Sequence, residues 1–226
     1  MKLYTSPNSP FSARVRIAAR LKNVELETAP LPVGGLKSEE FLGINPVAKI
    51  PVLVAEDGVC IPESEAILRY LEDRFPTPSL MPADAGERAR VNVTIRLTDL
   101  YVMDPVIRLF AHLARASRDP MVVDSEVARW AQGLANLDAW LSQGLAASGV
   151  GLTLADCALA PALHLQTRIA AMLGLHEDPV TKHAGLAAYY DSMKRHPVVG
   201  PFLSDLTSAQ HAYDLKAGRP SVAHWH

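Results

Sequence analysis

The sequence predicts an α/β domain built on a mixed four-stranded sheet, followed by an all-helical domain. Three observations lead to this fold class. The hydrophobic period changes repeatedly in the first third of the chain. Prolines then interrupt the stretch FPTPSLMPADAG, which cannot continue a helix. Beyond that stretch a helical period persists almost to the end of the 226 residues, a length sufficient for two domains.

The first third is predicted to fold in the order strand, helix, strand, helix, strand, strand, helix. KLYT is a short strand, residues 10–22 form a helix, VELETAP alternates as a strand does, and residues 36–43 form a short helix. Asp57-Gly58 separates KIPVLVAED from GVCIP and predicts a β-hairpin. Residues 64–75 carry an apolar stripe with helical spacing. A hairpin combined with helical crossovers gives a mixed sheet.

The helix over residues 10–22 is amphipathic. Its apolar face contains Phe11, Val15, Ala18 and Ala19. The basic side chains, which we expect to be largely exposed to solvent, are Arg14, Arg16, Arg20 and Lys22.

The domain boundaries follow from the proline-rich stretch. We place the α/β domain at residues 1–76, the linker at 77–86 and the helical domain at 87–226. The predicted helices of the second domain span 87–117 and 121–147, begin at 153, span 183–195, and end with a short one that opens at Pro197.

Composition excludes several classes of function. A net charge of −2 without a long basic block argues against nucleic acid and against anionic lipid as partners. No apolar run is long enough to span a bilayer, so we expect a soluble, cytoplasmic protein. Cys60 and Cys157 lie far apart without CxxC spacing, so neither a disulfide framework nor a zinc site is expected and both cysteines are predicted to lie in the core.

Ser9 is the first candidate for chemistry. It precedes Pro10 in NSPFSARVRI, where serine suits the N-cap and proline suits the first helical position. The same geometry places a hydroxyl beside unpaired N–H groups and the positive end of a helix, a combination that stabilises an anion such as a thiolate. The sequence therefore predicts a helix cap that can also stabilise a thiolate.

Four stretches together resemble the cytosolic glutathione transferases. SPFSARVRIA, NPVAKIPVL, PESEAILRYLEDRFP and LTLADCALAP occur in that family's order and roughly its spacing, so the resemblance covers nearly the whole chain. It implies a thioredoxin-like first domain that binds glutathione as co-substrate, and a helical domain that forms most of the site for a small hydrophobic electrophile. It also implies a homodimer. The SPF stretch is similar to tau-type members and RVRIA to zeta-type members.

The resemblance implies a role for each matching residue. Ser9 matches the catalytic residue that hydrogen-bonds the glutathione sulfur. The residues that match glutathione-binding positions are Lys37, Lys49, Ile50, Glu63 and Ser64. Ile50 precedes a proline bond that is cis in the family, and its backbone is expected to pair with the cysteinyl part of the tripeptide. Glu63 and Ser64 match the pair that holds the γ-glutamyl end, while Lys37 matches a lysine that meets the glycyl carboxylate. Thr153 and Asp156 in TLAD match a helix-capping box, which is a folding element.

Three alternatives to conjugation remain open at this point. Some relatives carry cysteine where this chain has Ser9, and serine cannot form a mixed disulfide. A disulfide reductase that uses two glutathione molecules needs no enzyme cysteine. A zeta-like isomerase is also possible, although the SSC pattern of that class is SPF here. The non-enzyme alternative is a transferase fold retained as a binding module. Among the site residues, Asn8 is a second-rank candidate for a residue that lies beside the glutathione sulfur.

Overall fold

The computed structural model describes residues 1–114, 118–144 and 151–216. Within them the strands are β1 (Lys2–Tyr4), β2 (Glu27–Ala29), β3 (Val52–Val54) and β4 (Cys60–Pro62). The helices of the first domain are α1 (Pro10–Leu21), α2 (Glu39–Ile44), which follows a 3-10 turn at Gly35–Lys37, and α3 (Ser64–Arg74). The helices of the second domain are α4 (Ala85–Leu97), α5 (Asp104–Leu109), α6 (Pro120–Leu141), α7 (Leu154–Leu173), α8 (Ala184–Arg195) and α9 (Val199–Lys216).

The first domain has the predicted thioredoxin-like fold. Its four strands lie in the order β2-β1-β3-β4, with β1 parallel to β2 and antiparallel to β3. β3 and β4 form the expected antiparallel hairpin, whose turn contains Gly58 at a φ of 85°. Only glycine adopts such a φ without steric cost, so the Asp57-Gly58 pair specifies the turn.

The two domains share an apolar core. Ile17 and Ala18 on α1 and Leu68 on α3 pack against residues from α4 and α7, including Ile95 and Ala158. All five side chains are buried, so α1 lies between the sheet and the helical bundle. The position of the N-terminus of α1 is therefore set by both domains.

A buried ion pair fixes the linker between the domains. Lys22 is 3% exposed, and its Nζ lies 2.7 Å from Glu72 Oε2 and donates to the carbonyl of Pro78. Burial raises the pKa of Glu72, but hydrogen bonds from Lys22, Ser79 and the Leu80 N–H outweigh it and hold that pKa below its usual value. The expectation that Lys22 is exposed was wrong, because its partners lie 50 or more residues away in sequence.

Helix boundaries in the second domain differ from the prediction in several places, and α6 ends at Leu141, before the predicted residue 147. The predicted helix 87–117 is interrupted by a π-helical turn at Thr98–Met103, in which the Asp104 N–H donates to the Asp99 carbonyl. Pro105 has no N–H for the Tyr101 carbonyl four residues earlier, so the regular α-helical pattern cannot continue there. The helix expected to be short after Pro197 is α9, which runs over 18 residues. Residues 115–117 and 145–147 of the predicted helices lie outside the described residues.

Other sequence expectations have clear outcomes. Asp156 accepts the Thr153 N–H at 2.7 Å, as the capping box predicts, and also the Tyr189 hydroxyl at 3.0 Å. Cys157 is buried as expected, whereas Cys60 is exposed because it lies on the edge strand β4. The domain boundaries 1–76, 77–86 and 87–226 stay a prediction, although α4 begins at Ala85, inside the predicted linker.

Gly133 allows α6 to approach the π-helical turn closely. A Cβ added at Gly133 would lie 1.9 Å from the carbonyl oxygen of Tyr101, whose α-helical partner is missing because of Pro105. The backbone on both sides is helical and cannot move away without disturbing the core. The fold therefore requires glycine at this position.

We expect Gly133→Ala to lower the free energy of unfolding by about 1–3 kcal/mol through steric overlap. The control is Gly43→Ala on α2, where an added Cβ meets nothing within 4 Å. That change should be neutral or stabilising by about 0.4–1 kcal/mol. Urea unfolding of both variants measures the difference, and equal stability of the two would contradict the close approach.

Candidate active site

Three chain segments leave the sheet at the same edge. Tyr4 at the end of β1 pairs with Val52 at the start of β3, and Val52 pairs with Pro62 at the end of β4. Antiparallel neighbours in this register place the end of one strand beside the start of the next. The segments that continue from these three ends are residues 5–9, 50–51 and 63–64. The sequence-predicted residues Ser9, Ile50, Glu63 and Ser64 therefore lie along one edge.

Ser9 is the N-cap of α1, with Pro10 at the first helical position. Its φ is −93°, and its Oγ accepts the N–H of Ser12 at 3.3 Å. A hydroxyl carries one hydrogen and two lone pairs, so accepting this bond leaves the hydrogen available to a ligand. Ser9 is half-buried, and its oxygen lies at the positive end of a twelve-residue helix.

The loop before β3 is held by a buried asparagine. Asn45 is 1% exposed, donates from Nδ2 to the Lys49 carbonyl at 2.8 Å and accepts the Val47 N–H at 3.0 Å. The bond between Ile50 and Pro51 is cis, as the resemblance implied. The Lys49 side chain is exposed, so the Asn45 contacts fix its backbone and leave the ammonium group in solvent.

Glu63 and Ser64 form the beginning of α3. Glu63 has a φ of 67° and a ψ of 116°, a conformation rare for residues other than glycine, and its side chain is exposed. Such backbone outliers cluster at ligand sites, where the surrounding structure holds them. Ser64 is 6% exposed, and its Oγ accepts a hydrogen bond from Arg14 Nη1 at 3.5 Å.

Arg14 connects this edge to the second domain. It is 1% exposed, and its guanidinium contacts both carboxylate oxygens of Asp99 on the π-helical turn, at 2.6 and 3.2 Å. It also lies over the Phe11 ring at 5.0 Å. Our expectation of an exposed Arg14 was wrong, because a helical period cannot indicate an acceptor 85 residues away. The spacing of residues in the sequence gave no signal that Arg14 is buried.

Lys37 takes no part in the side-chain hydrogen bonds described above for this edge. It ends the 3-10 turn Gly35–Lys37 that follows β2, and its side chain is exposed. Ala29, the last residue of β2, pairs with Tyr4 in parallel register, so the chain leaves β2 at the same edge. The direction of the backbone therefore connects Lys37 with this edge, while none of the side-chain hydrogen bonds among the described residues does.

Two segments of the chain match the domains of one known protein family. Residues 3–79 match the glutathione S-transferase N-terminal domain and residues 124–192 match the C-terminal domain. Maleylacetoacetate isomerase of Pseudomonas aeruginosa is 30% identical over 211 residues, which cover 89% of this chain and 98% of that protein. The chain belongs to the glutathione S-transferase family.

Other glutathione S-transferases support the same placement. A zeta-class glutathione S-transferase of Euphorbia esula is 34% identical over 78% of this chain and 84% of that protein. A solved glutathione S-transferase domain-containing protein of Marinobacter aquaeolei has a TM-score of 0.73 at 26% identity, covering 88% of this chain and all of that one. The Methylobacillus flagellatus enzyme, solved with glutathione bound, shares the fold with a TM-score of 0.72 at 24% identity over 89% of this chain and 98% of that one.

Two further findings concern the described residues of this glutathione S-transferase. Within residues 1–114, 118–144 and 151–216, no helix has the length and apolar character that crossing a membrane requires. In the same residues, no group of three or more His, Cys, Asp and Glu side chains is arranged to hold a metal ion.

A cavity beside α9 left no signal in the sequence. It encloses about 300 Å³ between α7, α8 and α9, and His164 and Tyr190 are among the residues that line it. The Thr207 hydroxyl donates to the Leu203 carbonyl and therefore accepts from His164 Nε2, while the Tyr190 hydroxyl donates to Nδ1 at 2.7 Å. Desolvation, with Arg168 and Lys194 nearby, lowers the pKa of His164 to about 4.

This histidine predicts a pH dependence of stability. Its folded-state pKa lies below the ordinary value near 6.5, so the unfolded chain binds the proton more tightly. The contribution of the neutral, buried His164 to the free energy of unfolding is therefore complete above pH 6.5 and is lost as the pH falls toward 4. When the pH falls from 7 to 5, we expect the free energy of unfolding of the wild-type protein to decrease by about 2 kcal/mol more than that of His164→Gln, as measured by urea unfolding. Parallel loss in both proteins would show that His164 does not carry the effect.

Proposed function

We propose that this glutathione-dependent enzyme activates the glutathione thiol and directs the thiolate to small hydrophobic electrophiles. The observation that carries the proposal is the Ser9 hydroxyl at the N-terminus of α1, on the sheet edge that also bears residues 50–51 and 63–64. Membership of the glutathione S-transferase family supplies the co-substrate.

The magnitudes are sufficient for thiol activation. Lowering a thiol pKa from about 8.5 by roughly two units requires about 2.7 kcal/mol of preference for the thiolate. A hydrogen bond to a charged group contributes about 1.5–3 kcal/mol. A helix N-terminus adds about 0.3–1 kcal/mol. Ser9 as donor and α1 as dipole therefore account for the shift together.

The other residues hold the tripeptide in this proposal. The Ile50 backbone pairs with the cysteinyl part, Glu63 meets the γ-glutamyl ammonium group, and Ser64 at the N-terminus of α3 binds the adjacent carboxylate. Lys49 and Lys37 supply ammonium groups to the glycyl end. The burial of Ser64 and the exposed carboxylate of Glu63 support this division, because a fixed hydroxyl and an accessible charge suit those two partners.

Ser9 determines which thiol reacts. Serine cannot form a mixed disulfide, so the nucleophile in this proposal is glutathione itself. In conjugation the sulfur forms a bond to an electrophilic carbon as the leaving group departs. In disulfide reduction without an enzyme cysteine, the first glutathione thiolate displaces one substrate thiolate and forms a mixed disulfide. A second glutathione thiolate then attacks the glutathione sulfur, displaces the other substrate thiolate and forms glutathione disulfide.

A second candidate is cis–trans isomerisation of a conjugated double bond. It is favoured by the similarity to maleylacetoacetate isomerase of Pseudomonas aeruginosa and to maleylpyruvate isomerase of a Ralstonia species, which is 32% identical over 71% of this chain. The first step is the same, since a thiolate that adds to the alkene leaves a single bond that rotates before the thiolate departs. Both candidates therefore depend on Ser9.

We propose a homodimer as the assembly. Large apolar side chains on the outer side of α4, the π-helical turn and α5 remain exposed in the single chain: Val93, Leu100, Tyr101 and Ile107. Side chains of this kind are typically covered in a partner interface. A second copy that pairs the same face satisfies the symmetry of a closed dimer.

We expect Ser9→Ala to lower turnover about 10- to 100-fold while the Kd for glutathione changes by less than about threefold, because about 1.5–3 kcal/mol of thiolate stabilisation is lost. The matched control is Asp84→Ala, which removes the N-cap of α4, where Asp84 accepts the Glu87 N–H at 2.9 Å. Both variants should lose about 1 kcal/mol of stability. Turnover that falls equally in both, or in neither, would contradict the role of Ser9.

The reaction itself is tested by comparing three substrates with the same enzyme and glutathione. We expect faster turnover of a chlorinated nitrobenzene than of a small disulfide. Isomerisation of maleylacetoacetate that exceeds both would establish the second candidate. An enzyme that binds glutathione and turns over none of the three would act as a binding module.

A further inference from the structure

The peptide unit between Asn8 and Ser9 is held at both ends. The Ser9 N–H donates to the Ser6 carbonyl at 3.2 Å. The Asn8 carbonyl accepts from Gln210 Nε2 at 3.3 Å, although Gln210 lies on α9, 202 residues further along the chain. Fixing both poles of a peptide plane restricts the φ of Ser9, and that angle sets the direction of its side chain.

Gln210 is itself rigidly placed. It is 2% exposed, and its neighbours on the same face of α9 are both bonded to α7. Thr207 Oγ lies 3.1 Å from His164 Nε2, and Asp214 pairs with Arg168 at 3.0 Å between Oδ2 and Nε. Residues three before and four after Gln210 therefore anchor the helix turn that carries it.

The amide of Gln210 has only one orientation that suits this loop. Turned over, its oxygen would face the Asn8 carbonyl, and two acceptors repel. In the orientation observed, Oε1 is buried without a hydrogen-bond partner among the described residues. Leaving a buried acceptor unpaired costs stability. The donor end is thus the part of the side chain that contributes a contact.

We propose that Gln210 is a positioning residue for Ser9, which rests on the proposed role of Ser9 in thiolate stabilisation. α9 thereby becomes part of the thiol site although it holds none of the tripeptide-binding residues. The Ala13 N–H holds the Ser9 carbonyl at 3.0 Å, and the cap bond from the Ser12 N–H to the Ser9 hydroxyl is 3.3 Å long. The Gln210 contact, also at 3.3 Å, fixes the carbonyl that precedes Ser9 and so helps to direct the hydroxyl toward the sulfur.

The consequence is selective for the chemical step. The peptide portion of glutathione is held by Ile50, Glu63 and Ser64 in our proposal, and none of these contacts Gln210. A small shift of the Ser9 hydroxyl weakens its hydrogen bond to the thiolate and leaves those contacts intact. Losing the Gln210 donor should therefore raise the thiol pKa and lower kcat, with little effect on glutathione affinity.

The test uses Gln210→Met in the full chain, which keeps the length and helical preference of the side chain but removes the donor. We expect kcat to fall about 3- to 10-fold and the pKa of bound glutathione to rise by about 0.5–1 unit. The Kd for glutathione should stay within twofold. Thermal stability should change little, because the variant removes the unpaired Oε1 but leaves the Asn8 carbonyl without this donor. If Gln210→Met does not fold, Gln210→Asn withdraws the same donor by one carbon and should act in the same direction.

Ser208→Ala is the matched control on α9. It removes an exposed bond to the Ser204 carbonyl within the helix and touches neither the Asn8 carbonyl nor the bonds between α9 and α7, so kcat should stay within twofold. Adding Gln210→Met to Ser9→Ala should not shift the thiol pKa further, because the two residues act through one hydroxyl. A wild-type thiol pKa in Gln210→Met, an equal loss in Ser208→Ala, or a further shift in the double variant would each overturn the proposal.

One measurement separates this proposal from the proposed function. Amide hydrogen exchange of Ser9 in the ligand-free protein should be faster in Gln210→Met than in wild type, whatever reaction is catalysed. If wild type fails to lower the thiol pKa of glutathione but this exchange still accelerates, the function fails and the loop contact stands. Unchanged exchange overturns the positioning role.

Discussion

The geometry of the site depends most on the contacts that the buried guanidinium group of Arg14 makes. From α1 it reaches Ser64 at the start of α3 and Asp99 in the second domain. Its pairing with Asp99 is not by itself a source of stability, because desolvation offsets most of the attraction in buried pairs. Its effect is to fix the relative positions of two helix N-termini and the helical bundle. Removing either partner would leave an uncompensated buried charge.

The sheet register and this ion pair make different contributions to the geometry of the site. Pairing of Tyr4 with Val52 and of Val52 with Pro62 brings three loops to one edge, but it does not orient them. Orientation comes from side chains behind the loops, such as Asn45 behind the segment before β3 and Gln210 behind the Asn8 carbonyl. The residues proposed to face the ligand therefore lie on loops and at helix N-termini, and the side chains that support them come from both domains.

The sequence predicted the features that depend on local chemistry. Ser9 before Pro10 indicated the cap of α1, and Asp57-Gly58 indicated the hairpin turn, because both follow from backbone preferences of adjacent residues. Arg14 and Lys22 were wrongly placed in solvent, since their acceptors are 50 to 85 residues away. Gln210 and the cavity at His164 gave no signal, because a polar residue on an amphipathic helix is ordinarily exposed. The cis Ile50–Pro51 bond came from the family resemblance alone.

In the proposed function, the N-terminus of α1 stabilises the thiolate of bound glutathione. Ultraviolet absorbance of the thiolate, titrated against pH for glutathione bound to wild-type enzyme, tests it directly. We predict a bound thiol pKa about two units below the ordinary thiol value near 8.5. A bound thiol that titrates at the same pH as free glutathione would show that Ser9 and the N-terminus of α1 do not stabilise the thiolate.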